Sequence, residues 1–515
     1  MQPSLPPIGD SKIVGLCDRF QAHELPPGLY QKFLNANVEN NSIQKRPGTT
    51  AVAATLGAFP ILGGSPFEPA GGTKLQIVCF DGASNSQLYK WTGTGDFSAI
   101  GSANLTAGAQ MNFVQASNYL FGFNGTDVVD YDGTTVTKNR ASLPLGKFGV
   151  WFHNYLFVAG VTATPNRLLW SNLGVPTTFT SSDFIDVNAN DGDEITGLAA
   201  FNDELFVFKR NTIWSISGWS GATFGATTIA GQNTNSRIYG YGTPSHQSIV
   251  ATGKNLYYLS FAGGVPHFRD LGITVFAKTI DQGIVSYDIE NVMNGLNKSQ
   301  LSKCAGIYDG KKIRWAVPDG ASTTNNLVLA FRPDIQLQST LAIHRSWVTH
   351  NHNITPGQWW HSTVSGRDKI YFGDADTGLV MEADTSVYTD AGTAIEMDVR
   401  TRDYMFHPAR KAKWKYLYYK FKSGSSGSLE IKSRIDQATD FAPQKTQSLV
   451  GNSPGLGSFI LGTSVLGGAN VSKQRATFAQ MTGSMLGVQF LESTANSCEI
   501  FDYQIYGYLK GLRDS

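Results

Sequence analysis

With 515 residues the chain is long enough for two or three domains and a large core. Its 41 basic and 40 acidic side chains nearly balance, and 55 glycines with 12 % aromatic residues suit many tight turns between well-packed strands. Four widely separated cysteines, Cys17, Cys79, Cys304 and Cys498, form no CxxC pair, which argues against a zinc ribbon or a dense disulfide framework. They read as free, buried thiols of a protein folded in a reducing cytoplasm.

The first twenty residues lack an apolar core behind a basic start, so no signal peptide is expected. PSLPPIGD and HELPPGLYQKFLNANVENNSIQKRPGTTAV are rich in Pro, Asn and Gly. They predict an extended N-terminal arm over 1–60 that docks on something else, with one short helix near 28–37. Residues 51–64, AVAATLGAFPILGG, form the longest weakly apolar run, too short and too broken by Gly and Pro60 to span a bilayer.

From 61 to 390 one grammar recurs: an apolar strand, a short polar turn, an aromatic-rich strand, a further turn. Its clearest copy is DGDEITGLAAFNDELFVFKRNTIWSISG, residues 191–218. Taking the start of each second strand as an anchor gives Tyr119, Tyr155, Leu205, Leu256, Ile313 and Ile370, roughly 36 to 57 residues apart, the spacing of four-stranded blades. Period-2 alternation bounded by Gly, Asn and Asp is what half-buried strands require. The expectation is an all-β fold carrying a β-propeller of about six blades, with segment 75–91 either a further blade or part of one. The best helix, in SYDIENVMNGLNKSQLSKC, sets Ile289, Val292, Met293 and Leu296 on one face as an insertion between blades.

Residues 391–515 depart from this grammar and carry 15 basic against 10 acidic side chains. Longer strands such as SLEIKSRI, with Leu429, Ile431, Ser433 and Ile435 opposed to Glu430, Lys432 and Arg434, predict a C-terminal β-sandwich or jelly-roll module. The basic excess gathers in RTRDYMFHPARKAKWKYLYYKFK, where Arg410, Lys411, Lys413 and Lys415 are candidates for phosphate or subunit contact. The blander reading is the solvated face of a strand.

Chemical motifs are thin. Residues 451–455 satisfy GxSxG, but LGSFILGTSVLGG makes a poor helix to follow a nucleophile elbow. No phosphate-binding loop is present, no SxDxGxTW box of the sialidase type, and no Trp-Asp pair of the WD40 type. NANDGDEITG gathers Asn188, Asn190, Asp191, Asp193 and Glu194, oxygen donors suited to Ca²⁺, but it fails the EF-hand pattern, and Asx turns explain the same residues. His344, His350, His352 and His361 lie close in sequence with no cysteine or acid beside them, which favours packing near Trp347, Trp359 and Trp360 over metal binding. No catalytic residue, cofactor or metal is assigned.

NVENNSIQKRPG, then DGDEITGLAAFNDELFVFKRNTIWSISG, then alternating strands opening at RTRDY resemble the nozzle proteins of bacteriophage tails, the tail tubular protein B-like or packaged-DNA stabilisation family. The matching positions are Arg46, Pro47 and Gly48, and Asp191, Gly192 and Asp193 through Trp214; they are structural, not catalytic. The resemblance implies a propeller-bearing virion subunit, made in the host cytoplasm. Such subunits form a cyclic oligomer, commonly a hexamer, below the portal and head-tail adaptor proteins. The ring retains double-stranded DNA and conducts it without sequence specificity; tail fibre or spike proteins are further partners, and no membrane span is expected. The competing reading is a glycan-hydrolysing or glycan-binding tail or cell-surface protein, with Trp359 and Trp360 as exposed platforms. The domain expectation is an arm over 1–60, a propeller over 61–390 and a sandwich over 391–515.

Overall fold

The computed structural model describes residues 5–189, 191–217, 225–230, 241–262, 264–272, 283–339, 342–422, 426–450, 471–478 and 481–510. Apolar residues at every second position, broken by short polar turns, give strands almost throughout. Asn202–Asp203 and His153–Asn154 both hold positive φ at two consecutive residues, the type I′ geometry whose twist matches that of the flanking strands.

Among the described residues seven antiparallel sheets follow one another. The first contains Ile61–Phe67, Leu75–Phe80 and Asn85–Trp91, with two short strands along its edge. The second runs from Asn112–Ala116 to Val136–Lys138, the third from Phe148–Phe152 to Val175–Asp186, and the fourth from Ile195–Phe201 to Gly225–Ala230. The fifth shows Val250–Ala251, Asn255–Ala262 and Val265–Gly272. The sixth opens with Ala305–Tyr308, Ile313–Val317, Leu327–Gln338 and Ile343–His350. The seventh holds Pro356–Ser362, Lys369–Asp374 and Val380–Glu382, completed by Thr50–Ala51 from before the first sheet.

The leading strands touch in chain order, through the short 3₁₀ segment His246–Ser248 at the fifth sheet, and the seventh touches the first. Hydrogen bonds join neighbours around this circuit: Met111 N to Leu62 O, Asn112 Nδ2 to Lys147 O, Thr196 Oγ1 to Thr243 O, Ser245 Oγ to Cys304 O and Asn325 Nδ2 to Pro356 O. All six anchors fall in second strands. Segment 75–91 supplies two strands of the remaining sheet, so seven sheets stand where about six blades were expected. The first sheet escaped the pattern because its leading strand begins inside the weakly apolar 51–64 run. That strand is glycine-rich for a reason: a side chain at Gly64 would collide with the ring of Trp360 in the seventh sheet.

Beyond Ile343–His350 the sixth sheet continues through Leu29–Leu34, Met397–Thr401, Leu486–Glu492, Ser428–Ile435 and Ala442–Ser448. A second sheet, Ala36–Glu39, Ser42–Lys45, Glu499–Leu509, Ala412–Lys422 and Val471–Thr477, packs with it around Phe33, Val399, Leu417, Ile431, Phe490 and Ile505. This two-sheet wall therefore grows out of a propeller sheet.

The N-terminal segment expected to dock on something else docks on the chain itself: its strands lie in the wall and the seventh sheet, because Leu29, Tyr30, Phe33, Ala36, Val38 and Ile43 find their apolar partners in the C-terminal strands. One expectation for this segment is corrected. The helix near 28–37 is the strand Leu29–Leu34, where pairing with Met397–Thr401 overrides local preference. Helix survives as Glu290–Gly295, flanked by 3₁₀ turns, with Ile289, Met293 and Leu296 buried as the spacing predicted.

Candidate functional surfaces

Arg46 is buried where the N-terminal strands meet the propeller. It pairs with Asp390, donates from Nε to Asn35 Oδ1 at 2.9 Å and from Nη2 to Asn351 O at 2.9 Å, and reaches Pro47 O at 3.3 Å. A side chain at Gly48 would collide with the carbonyl oxygen of Thr389. The Arg-Pro-Gly run thus fixes a backbone crossing.

In the 191–214 unit, Asp193 accepts from Asn211 N at 3.0 Å and Thr212 Oγ1 at 3.3 Å, and Trp214 Nε1 donates to Thr212 Oγ1 at 3.1 Å. Burial pushes the Asp193 carboxyl up. Gly192 has φ +72°, which the turn requires. Asp191 accepts from the buried ammonium of Lys209 at 2.5 Å, and the same Nζ donates to Val187 O at 3.1 Å. These bonds make the two acids a clamp between strands; Asn190 lies outside the described residues.

The structure separates the four histidines. His350 and His352 are buried and 6.1 Å apart, and burial, reinforced by the nearby Arg46, pushes both well below the usual imidazole range. His361 faces the rim, 2.8 Å from Tyr308 O and 3.3 Å from Asp368. His344 lies in the sheet that joins propeller to wall. Trp359 and Trp360 are each only 5 % exposed, so the glycan-platform expectation for them is corrected: they pack between sheets. Residues 451–455 lie outside the described residues.

Two recesses lie among the leading strands of the propeller sheets. A recess of about 270 Å³ is lined by Asn112, Lys147, Glu194, Arg210 and His246, and Gln247 crosses it to hydrogen-bond Asn112 of the second sheet. A second recess of about 190 Å³ lies beside Asp81, Gln110 and Asn325. Glu194 is paired with Arg210 at 3.2 Å, and Asp81 accepts from Ser86 Oγ at 2.8 Å and Gly108 N at 3.0 Å. Each carboxylate already has partners.

A face that combines charge with aromatic surface lies on the wall. Along Ala412–Lys422 the pairing shifts between Trp414 and Tyr416, a β-bulge that puts Trp414 and then Leu417, Tyr419 and Phe421 on the core side. The outer side carries Lys413, Lys415, Tyr416, Tyr418 and Lys420. Lys473 and Arg475 project beside them from Val471–Thr477, and Tyr506 and Tyr508 from Glu499–Leu509. Lys473 lies 5.2 Å from the Tyr418 ring, Arg475 5.3 Å from Tyr416 and Lys415 5.3 Å from Tyr508; Tyr418 and Tyr506 meet edge to face at 5.2 Å. Lys420 is matched by Asp502 at 2.9 Å. Among the described residues no carboxylate pairs with Lys413, Lys415, Lys473 or Arg475.

Of the four basic candidates, Lys413 and Lys415 belong to this face. Lys411 is exposed at the head of the strand, and Arg410 turns back to Lys510 O at 2.7 Å. Lys473, Arg475, Tyr506 and Tyr508 were missed, although SKQRA and YGY carry the period-2 signal that could have found them.

Fold and surfaces together define an all-β, propeller-bearing scaffold whose chemistry is outward-facing charge. Residues 74–306 match the model of the phage stabilisation family described as "Bacteriophage P22 Gp10, beta-propeller". No curated protein matches. Among solved structures, the extracellular domain of a hybrid two-component system from B. thetaiotaomicron aligns at 10 % identity and TM-score 0.41 over 78 % of this chain, which spans only 47 % of that protein. The Neurospora crassa Pan2 WD40 domain aligns at 7 % identity and TM-score 0.38, covering 66 % of this chain and 97 % of its own. A glycoside hydrolase aligns at 11 % identity and TM-score 0.27, covering 87 % and 99 %. Among the described residues no helix is long and apolar enough to cross a membrane.

Proposed function

We propose that the chain is a subunit of a bacteriophage tail nozzle. Copies form a closed ring, a hexamer, below the portal and adaptor, retain packaged DNA and conduct it at ejection. The observation that carries this reading is the match of residues 74–306 to the phage stabilisation family. The propeller's leading strands support it: they touch around the circuit, and the recesses among them, of about 270 and 190 Å³, admit a small molecule and not a duplex whose major groove alone is about 12 Å wide. DNA must therefore pass between copies, along an axis that only an oligomer possesses.

A closed ring needs head-to-tail interfaces. The propeller over 61–390 is the rigid frame, and the wall over 391–515, with the N-terminal strands woven into it, presents Lys413, Lys415, Lys473 and Arg475 to DNA phosphates or to the neighbouring subunit. The protein acts in the virion tail and carries no catalysis. Native mass measurement of the full chain, alone and with a portal-adaptor complex, tests this. A cyclic oligomer that docks on the adaptor is expected. A strict monomer that refuses the adaptor and binds or cleaves a glycan overturns the reading in favour of a glycan-directed surface protein.

A further inference from the structure

Cys17, Asp288 and His344 are remote in sequence and meet inside the protein. Cys17 follows the strand Gly15–Leu16, with its N–H held by Tyr30 O at 2.9 Å. Asp288 sits in the 3₁₀ turn Tyr287–Ile289, and His344 is the second residue of Ile343–His350. Their exposures are 0 %, 2 % and 3 %. Asp288 Oδ1 lies 2.7 Å from His344 Nδ1 and 3.8 Å from Cys17 Sγ, and all three donor atoms fall within 4.8 Å of one another. Asp288 Oδ2 accepts the N–H of Arg345 at 2.7 Å, which fixes the carboxylate's orientation.

The geometry points to a site for a borderline-soft divalent ion of the Zn²⁺ class, held by Cys17 Sγ, Asp288 Oδ1 and His344 Nδ1. A thiolate, an imidazole and a carboxylate are the donor types that Zn²⁺ selects. Metal–ligand lengths of about 2.0–2.3 Å put tetrahedral donors about 3.3–3.5 Å apart, so the sulfur–oxygen separation is nearly met and the oxygen–nitrogen pair must open by about 0.6 Å. Charge also fits, because the thiolate and the carboxylate together neutralise the ion's two positive charges in a buried place.

Binding replaces the Cys17 thiol proton, which leaves to solvent, and moves the imidazole N–H to Nε2. Because the ion displaces the thiol proton, binding weakens as pH falls. The ion would staple the N-terminal segment to the connection before the sixth sheet and to that sheet's fourth strand, Ile343–His350. This is the seam between propeller and wall, and the inference does not depend on the nozzle reading.

The test uses the full chain, stripped with a chelator and titrated with Co²⁺ and then Zn²⁺. One Co²⁺ per chain is expected, with a thiolate-to-cobalt charge-transfer band and intense tetrahedral d–d bands, displaced by one Zn²⁺; Zn²⁺ should also raise the melting temperature. Cys17→Ser, checked for folding by circular dichroism, should abolish the charge-transfer band and the Zn²⁺-dependent rise, and His344→Gln should lower Co²⁺ affinity at least tenfold. The proposal is overturned if the wild-type chain shows no such band, or if band and melting shift survive in Cys17→Ser.

Discussion

The propeller and the wall are both antiparallel β-structure, yet they are assembled on opposite principles. In the propeller, strands pair with their neighbours in sequence, as Asn112–Ala116, Tyr119–Phe123 and Val128–Tyr131 do in the second sheet. In the wall the partners come from the two ends of the chain: Leu29–Leu34 lies on Met397–Thr401, and Ser42–Lys45 on Glu499–Leu509. Such pairings close very long loops and form against a larger entropy cost. Ion pairs that are buried or nearly so cross the wall: Lys45 with Glu492, Arg46 with Asp390, Arg402 with Asp10, Arg434 with Asp403. A one-residue slip would bury these charges without partners, so they select a register that generic apolar alternation leaves open.

The most severe challenge to this contrast is Arg46→Ala. It leaves Asp390 buried without its main partner, and the expected loss is about 3–5 kcal/mol, read from denaturant midpoints. Replacing the pair together, Arg46→Met with Asp390→Leu, should recover more than half of it, since the cost lies in the unmatched charge. A loss below about 1 kcal/mol for Arg46→Ala would mean that the apolar core alone holds the wall to the propeller.

A milder version of the same measurement applies between propeller sheets. Burial alone would push the Asp127 carboxyl up, but hydrogen bonds from Thr106 N at 2.7 Å and Thr106 Oγ1 at 2.8 Å, with Lys138 at 3.0 Å, draw it down to about 2. The folded value lies below the unfolded one. Its contribution is therefore complete above about pH 4 and is lost as pH falls toward 2. Allowing for the solvent that reaches Lys138, this amounts to about 1–2 kcal/mol. Asp127→Asn should lower stability by that much at pH 7 and flatten the acid limb. An unchanged limb would show that the carboxylate does not tie the first sheet to the second.

The contrast also decides what could be read before the structure. Local pairing writes itself into sequence: Asn202–Asp203 between two apolar strands announces a hairpin, and every anchor from Tyr119 to Ile370 lies in a second strand. Non-local pairing leaves no such signature. Leu29–Leu34 reads as a helix because its partner is more than 360 residues away, and His344 seems to lack an acid or a thiol because Asp288 and Cys17 lie in other segments. The imperfect alternation of Lys413 to Lys422 was visible, but its cause, a bulge opposite Gly507 and Tyr506, needed the partner strand. The wall's outer face was legible in one strand of its three.

That face allows the smallest structural perturbation with a large functional readout. Lys473 and Arg475 are exposed and each caps a tyrosine ring, an interaction worth about 0.5–1 kcal/mol at such sites. Lys473→Gln with Arg475→Gln should therefore move the unfolding midpoint little. If the two cations neutralise phosphates, the double variant should bind duplex DNA more weakly, and its slope of log affinity against log salt should shrink by about 0.9 for each phosphate no longer neutralised. The expected shrinkage is close to that of two phosphates, equal for all duplex sequences, because bonds to the DNA backbone read none. A double variant that keeps the full salt slope while its oligomer falls apart would assign the face to the neighbouring subunit: cations matched by a protein surface govern association between copies and leave DNA binding untouched.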